Sequence, residues 1–191
     1  MKPTSLKNAI SGIREGKIVV YPTDTLYGLG ADIFNVPAVQ NIYRIKQRPR
    51  DLPLPVMVSD REMMKQIAYI TPSAKKIITR FLPGPLTVIL KKKQIVPDII
   101  TKEKIAIRMP KNEIALHLAS CSGPLTATSA NIHGGQEPYT IDIAREQIGT
   151  RDIVYLDYGT LPGTPSTIIE PTKDDILIYR EGAIRKEELY G

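Results

Sequence analysis

At 191 residues, with 42% hydrophobic and 24% charged side chains, the chain is long enough to bury one substantial core and too balanced in composition for wholesale disorder. Cys121 is the only cysteine, which excludes an internal disulfide framework or a cysteine-based metal cluster and leads us to expect a reducing, cytoplasmic setting. No segment carries the long apolar run of a membrane span or a signal core, and the net charge of +6 favours an anionic partner without choosing between nucleotide and RNA.

Leu6, Ala9, Ile10 and Ile13 recur at helical spacing behind a capping Thr4 or Ser5, and Gly16 ends the run. Ile18 to Tyr21 reads as a strand. After YPTDTLYGLG a second helix is expected, with Pro37 in its first turn and Val39, Ile42 and Tyr43 on one face. That helix delivers Lys46 and Arg48 into a proline-rich loop. Pro55 to Val58 reads as a strand, and Arg61 to Ala68 and Pro72 to Phe81 as helices that stop at Pro83-Gly84-Pro85. Strands follow at Leu86 to Leu90 and Ile105 to Met109. The run Lys91, Lys92, Lys93 reads as a solvated strand end. A helix at Glu113 to Ala119, a strand at Leu125 to Thr128 and a helix at Ile141 to Ile148 come next. Tyr158 to Pro165 reads as an exposed loop or lid. Strands at Ile153 to Leu156, Ser166 to Ile169 and Ile176 to Tyr179 complete the chain. Helices interleaved with strands that are apolar on both faces predict a single α/β domain over residues 1–191, with a mixed or mostly parallel sheet.

Several familiar sites are excluded. Gly28-Leu29-Gly30 lacks the third glycine of a dinucleotide fingerprint, and no Walker-type, paired-histidine or nucleophile-elbow motif occurs. His117 and His133 lack a partner pattern and read as structural or solvent-facing, and no metal site is expected.

Four segments place polar or cationic side chains two residues apart, a spacing that in extended chain turns both to one face. Thr23 and Thr25 follow a strand and either hold a small polar ligand or make a turn with Pro22 and Asp24. Arg44, Lys46, Arg48 and Arg50 either neutralise a polyphosphate or form a solvated helix end that the helix dipole favours. Arg108, in the apolar strand of IAIRMP, needs a partner, and a substrate carboxylate and a protein one are both candidates. Ser129 and Asn131, in PLTATSAN, either bond phosphate or ribose or cap a turn before Gly134-Gly135.

Taken in order, YPTDTLYGLG, KQRP, IAIRMP and TSAN resemble the motifs of the YrdC-like threonylcarbamoyl-adenylate synthase family. The likeness extends to PGPLTVIL, PSTIIE and IYREG, essentially the whole chain. The resemblance implies a YrdC-like α/β fold, a twisted mixed sheet with helices on its faces and a large basic cleft. It implies that L-threonine, bicarbonate or CO2, and ATP carrying Mg2+ yield threonylcarbamoyl-AMP and pyrophosphate, the product passing to partner proteins that modify transfer RNA. Residue by residue, it implies that Thr23, Thr25, Arg108, Ala127 and Ser166 hold the threonine. Lys46, Arg48, Ser129, Asn131 and Arg180 would surround the nucleotide, with Lys46 and Arg48 acting in catalysis by stabilising charge on the departing pyrophosphate. Any lid is expected from loops.

The chain departs from the family pattern at Leu52, Met57, Lys104 and Glu137, where Asn, His, Ser or Thr, and Ser are common. Two other functions remain open at this point. One is an RNA-binding or ribosome-associated protein of the same fold, double-stranded RNA included, although two Phe and no Trp give little material for base stacking. The other is a relative that activates a different small amine or acid.

Overall fold

In the computed structural model, which describes residues 5–149 and 152–190, helix α1 (Leu6–Arg14) starts where the Ser5 hydroxyl accepts the N–H of Asn8 at 3.3 Å. Thr4, the other capping candidate, lies outside the described residues. Strand β1 (Ile18–Tyr21) is buried on both faces, Ile18 and Val20 entering a larger core and Val19 and Tyr21 a smaller one. It turns back into β2 (Gly28–Gly30). Helix α2 (Val36–Ile45) is capped by Asn35, with Pro37 in its first turn. There follow β3 (Val56–Met57), α3 (Arg61–Ile67), β4 (Ala68–Tyr69) and α4 (Pro72–Phe81), then the long hairpin of β5 (Leu86–Lys92) and β6 (Lys104–Arg108). Helix α5 (Glu113–Ser122), β7 (Leu125–Thr126), β8 (Thr128–Ser129), α6 (Ile141–Ile148), β9 (Ile153–Tyr155), β10 (Thr167–Pro171), β11 (Ile176–Arg180) and α7 (Lys186–Tyr190) complete the order.

The α/β class with mixed strand directions agrees with the expectation. The strands form two sheets, β8-β2-β1-β9 and β11-β10-β5-β6-β3-β7, with β4 added to β5. Parallel pairing joins β1 to β9, β10 to β5 and β3 to β6, and every other pair is antiparallel. The "mostly parallel" alternative is therefore corrected, because the hairpins β1-β2, β5-β6 and β10-β11 and the antiparallel seating of β4, β7 and β8 outnumber the parallel pairs. Helices α1 and α5 touch each other, and their residues Ala9, Ile13, Ala115, Leu118 and Ala119 share the smaller core with β1. Helix α4 packs on β5 and β10.

The strand expected over Leu125 to Thr128 breaks at Ala127. Leu125 and Thr126 pair with β3, and Thr128 and Ser129 pair with β2 in the other sheet. Thr126 rivets the crossing. Its hydroxyl donates to the carbonyl of Leu29 at 2.8 Å and accepts the N–H of Ala31, while its carbonyl accepts the Tyr21 hydroxyl at 3.0 Å. The Tyr21 ring in turn lies across β2. A Cβ added to Gly28 or Gly30 would come within 2.7 Å of it, so these glycines allow a close approach of ring to backbone and do not cradle phosphate.

Strand β2 escaped the sequence reading because its glycines carry no apolar pattern, and β4 is a two-residue addition to the end of a helix. The lysine run is the strand end expected, with Lys91 exposed and Lys92 and Lys93 half-buried. β5 extends through Lys92, whose Nζ pairs with Asp98 and donates to the Val96 carbonyl at 2.9 Å, and Lys93 stands over the Tyr69 ring at 5.4 Å.

Candidate active site

Where the ends of both sheets meet, a cavity of about 440 Å³ opens, within the range usual for small-molecule sites. Thr23, Thr25, Lys46, Arg48, Arg108, Ala127, Ser129, Asn131, Ser166 and Arg180 all line it. Segments far apart in the chain are thus brought together, and the break at Ala127 lets one strand serve both walls.

One end is built on β6. Arg108 is 8% exposed, and its Nη2 donates to Asp24 Oδ1 at 2.5 Å and to the Thr25 hydroxyl at 2.6 Å. The protein carboxylate is therefore the resident partner of Arg108. Arg108 Nε and Asp24 Oδ2 are buried without a partner. Thr23 is consumed by the turn, since its hydroxyl donates to the Leu26 carbonyl at 2.7 Å and accepts the N–H groups of Thr25 and Leu26. Beside this end the hydroxyls of Ser166 and Thr87 meet at 2.9 Å, and Arg180 Nη2 donates to the Ser166 carbonyl at 2.9 Å.

The other end hangs on the last turn of α2. Lys46 is its C-cap, and Gln47, at φ 51, takes the left-handed conformation that stops a helix. The chain then turns so that Lys46 and Arg48 both face the cavity. Lys46 is 2% exposed, and its Nζ donates to the Ser129 carbonyl at 2.6 Å, the Asn131 carbonyl at 2.6 Å and Asn131 Oδ1 at 3.1 Å. An ammonium has three N–H donors, so these contacts use all of them. Burial first, and the Arg48 charge second, pull Lys46 down to about 7, against an upward pull from Glu137. Asn131 is locked as well. Its Nδ2 donates to the carbonyls of Gly135 and Gln136, and its Oδ1 accepts the Ser129 hydroxyl at 2.7 Å.

Arg48 donates from Nη2 to the Pro53 carbonyl at 2.9 Å, and its Nη1 lies 3.3 Å from His133 Nδ1. Burial lowers both Arg48 and Arg180 from the usual arginine value. Among the described residues no carboxylate lies within salt-bridge distance of Lys46, Arg48 or Arg180. Arg44 and Arg50, the outer members of the cationic set, are exposed and face a different surface depression.

Met57 and Glu137 line the cavity, whereas Leu52 does not and Lys104 bonds Glu170 at 2.6 Å away from it. Sequence reasoning missed Asp24, which it treated as part of a turn, and Thr87, an ordinary strand residue. It also missed His133, which is bound to Arg48 at the cavity wall and is not an idle loop histidine. Only Asp24 had a signal that could have found it, as an acid inside an otherwise neutral strand-end motif.

An α/β domain whose buried cavity gathers cations with few carboxylates belongs among proteins that handle phosphates or other small anions. A family model for Sua5, YciO and YrdC, described as "Telomere recombination", matches residues 11–182, and the chain belongs to this family. It is 44% identical over 178 residues to a putative threonylcarbamoyl-AMP synthase of Methanocaldococcus jannaschii, covering 93% of this chain and 85% of that protein. Its fold matches that of Pyrococcus abyssi Sua5 complexed with L-threonine at a TM-score of 0.90 and 38% identity, over 96% of this chain and 56% of the other. Escherichia coli YciO matches at 0.84 and 27% identity, over 98% and 96%. The chain thus spans about half the length of the Pyrococcus protein.

Proposed function

We propose that this domain makes threonylcarbamoyl-AMP and pyrophosphate from L-threonine, bicarbonate or CO2, and ATP. The observation that carries this reading is the division of one cavity between Arg108 with its hydroxyl neighbours, suited to an amino acid, and Lys46, Arg48 and Arg180, suited to a polyphosphate. The kinship with proteins named threonylcarbamoyl-AMP synthase and the L-threonine complex of the Pyrococcus relative support it.

In this reading the neutral amine of threonine adds to the carbon of CO2 and loses a proton, giving a carbamate. A carbamate oxygen then attacks the α-phosphorus of ATP, the bond from that phosphorus to the oxygen bridging to the β-phosphate breaks, and pyrophosphate leaves. Arg108, Thr25 and Ser166 hold the threonine carboxylate and hydroxyl, and Ala127 forms the wall beside them. Thr23 shapes the turn that presents Thr25. Arg48 and Arg180 face the phosphates, and Ser129 and Asn131 the ribose and α-phosphate. Charge already in place where negative charge develops lowers the barrier without a covalent catalyst. Mg2+ would enter as part of the ATP substrate, held by phosphate oxygens and water. The adenylate then passes to partner proteins that modify transfer RNA in the cytoplasm. Among the described residues no helix is long and apolar enough to cross a membrane.

The test is pyrophosphate release from Mg-ATP with L-threonine and bicarbonate omitted in turn and L-serine offered instead. Release that needs both threonine and bicarbonate is expected. Release supported by serine alone would transfer the reading to another amino acid, for which Met57 in place of the common His is the first residue to revert. A folded protein that binds RNA and not ATP would replace the reading with the RNA-binding one.

A further inference from the structure

Arg108 differs from the other cavity cations in having a carboxylate of its own. Its side chain is 10% exposed and that of Asp24 12%, so the pair is nearly out of water and its charges cancel locally. Asp24 does not line the cavity. It stands behind the guanidinium, touching it through Nη2 alone, while Nε and Oδ2, the atoms that would complete a two-pronged fork, face no partner. Among the described residues Lys46, Arg48 and Arg180 have no carboxylate within salt-bridge distance; the Glu137 charge reaches Lys46 and Arg180 only from further off, and Arg180, bonded to Ser166, also feels the charge of Arg108. The cavity therefore has a neutralised end and a cationic end, although arginines stand at both.

We infer that Asp24 is a specificity-determining residue that sorts the anions in this cavity by cancelling the charge of Arg108. A polyphosphate, with several negative charges, is drawn to the uncancelled cations and gains little from a guanidinium already paired. A singly charged amino-acid carboxylate still finds the directional N–H donors of Arg108 beside Thr25. Asp24 thereby keeps the amino-acid end free of the triphosphate that the other end must hold. Asp24 acts through Arg108 and is a positioning residue, not a catalytic one. The inference rests on the synthase reading for the identity of the amino acid but not for the sorting itself.

The test measures binding of inorganic tripolyphosphate by calorimetry, with and without saturating L-threonine, in the wild type, Asp24→Asn and Asp24→Asn/Arg108→Gln. The wild type should bind tripolyphosphate equally well in both conditions. In Asp24→Asn the affinity should rise about tenfold, the scale of one uncancelled charge contact, and L-threonine should compete. The double variant should bind tripolyphosphate as the wild type does. A folded Asp24→Asn with wild-type binding overturns the inference. So does a double variant that binds several-fold more weakly than wild type, since Arg108 would then already serve the phosphates, and so does a wild type that binds no tripolyphosphate. If Asp24→Asn does not fold, Asp24→Ser takes its place in the same comparison, with the same outcomes. Absence of L-threonine binding by the wild type would sink the synthase reading, while the tripolyphosphate results would still decide the role of Asp24.

Discussion

Lys46 and Arg108 are both almost fully buried, yet the protein meets their burial by opposite means. Arg108 is given a carboxylate and a hydroxyl, and its charge is cancelled. Lys46 receives only oxygens of neutral groups, and no carboxylate cancels its charge. A buried cation without a counter-ion is costly, and the lowered Lys46 pKa reflects that cost. The difference teaches that similar burial can be met in two ways, and in the proposed function the cancelled cation would recognise a small acid by direction while the other end attracts phosphate by charge. It also shows Lys46 as a strut that holds Ser129 and Asn131 in place, with all its donors engaged.

The comparison breaks most visibly at Arg108. Arg108→Ala leaves Asp24 as a bare buried charge and should lower stability by about 3–5 kcal/mol in urea unfolding, with threonine-dependent turnover falling at least about tenfold. A stability unchanged within 1 kcal/mol, on the same scale, would mean that the pair is not buried as described.

Gly30→Ala strikes the scaffold beneath both ends. The new Cβ would meet Tyr21 Cε1 at 2.7 Å and should cost about 1–3 kcal/mol, raising the KM for threonine and for ATP together. A change confined to one substrate would show that the Tyr21 to Thr126 rivet supports only one wall.

Lys46→Met should cost about 1–2 kcal/mol, because it leaves carbonyls unpaired but no bare charge, and should raise the KM for ATP more than that for threonine. The pH dependence has a definite sign. The folded protein releases the Lys46 proton near 7 and the unfolded chain near 10.5, so between those values the unfolded state binds more protons and stability rises with pH. The stability of the wild type relative to Lys46→Met should therefore be lowest below about 7 and grow as the pH is raised toward 9. A difference that stays flat over that range would place the titration elsewhere. Arg44→Ala, outside the cavity, should change stability by less than about 0.5 kcal/mol and leave both KM values alone. A clear loss of ATP affinity there would extend the cationic end to the surface.

The helices α1 to α6 were legible because their signals are local, whereas the five-residue α7 (Lys186–Tyr190) escaped the sequence reading. Ser5, Asn35, Thr71 and Thr140 cap runs with apolar residues at helical spacing, and the structure places those helices where periodicity put them. The site residues were legible as a set through their order along the chain, but not their contacts. Arg108 needed a partner on sequence grounds, and nothing local distinguished Asp24 from a substrate carboxylate, since the two acids are 84 residues from the arginine in one case and outside the chain in the other. Arg44 and Arg50 looked equivalent to Lys46 and Arg48 until the end of α2 divided them between solvent and cavity.

The amino-acid sequence by itself determined the α/β class, most element positions and the ordered motifs that converge on one site, because caps, breakers and apolar periodicity act over a few residues. The tertiary structure alone decided that the strand at Ala127 changes sheets, that Gly28 and Gly30 make room for Tyr21, and that one buried cation is cancelled while another is not. Those outcomes depend on which distant groups share a volume from which water has been removed, where one hydrogen bond or one carboxylate changes the local balance by kilocalories.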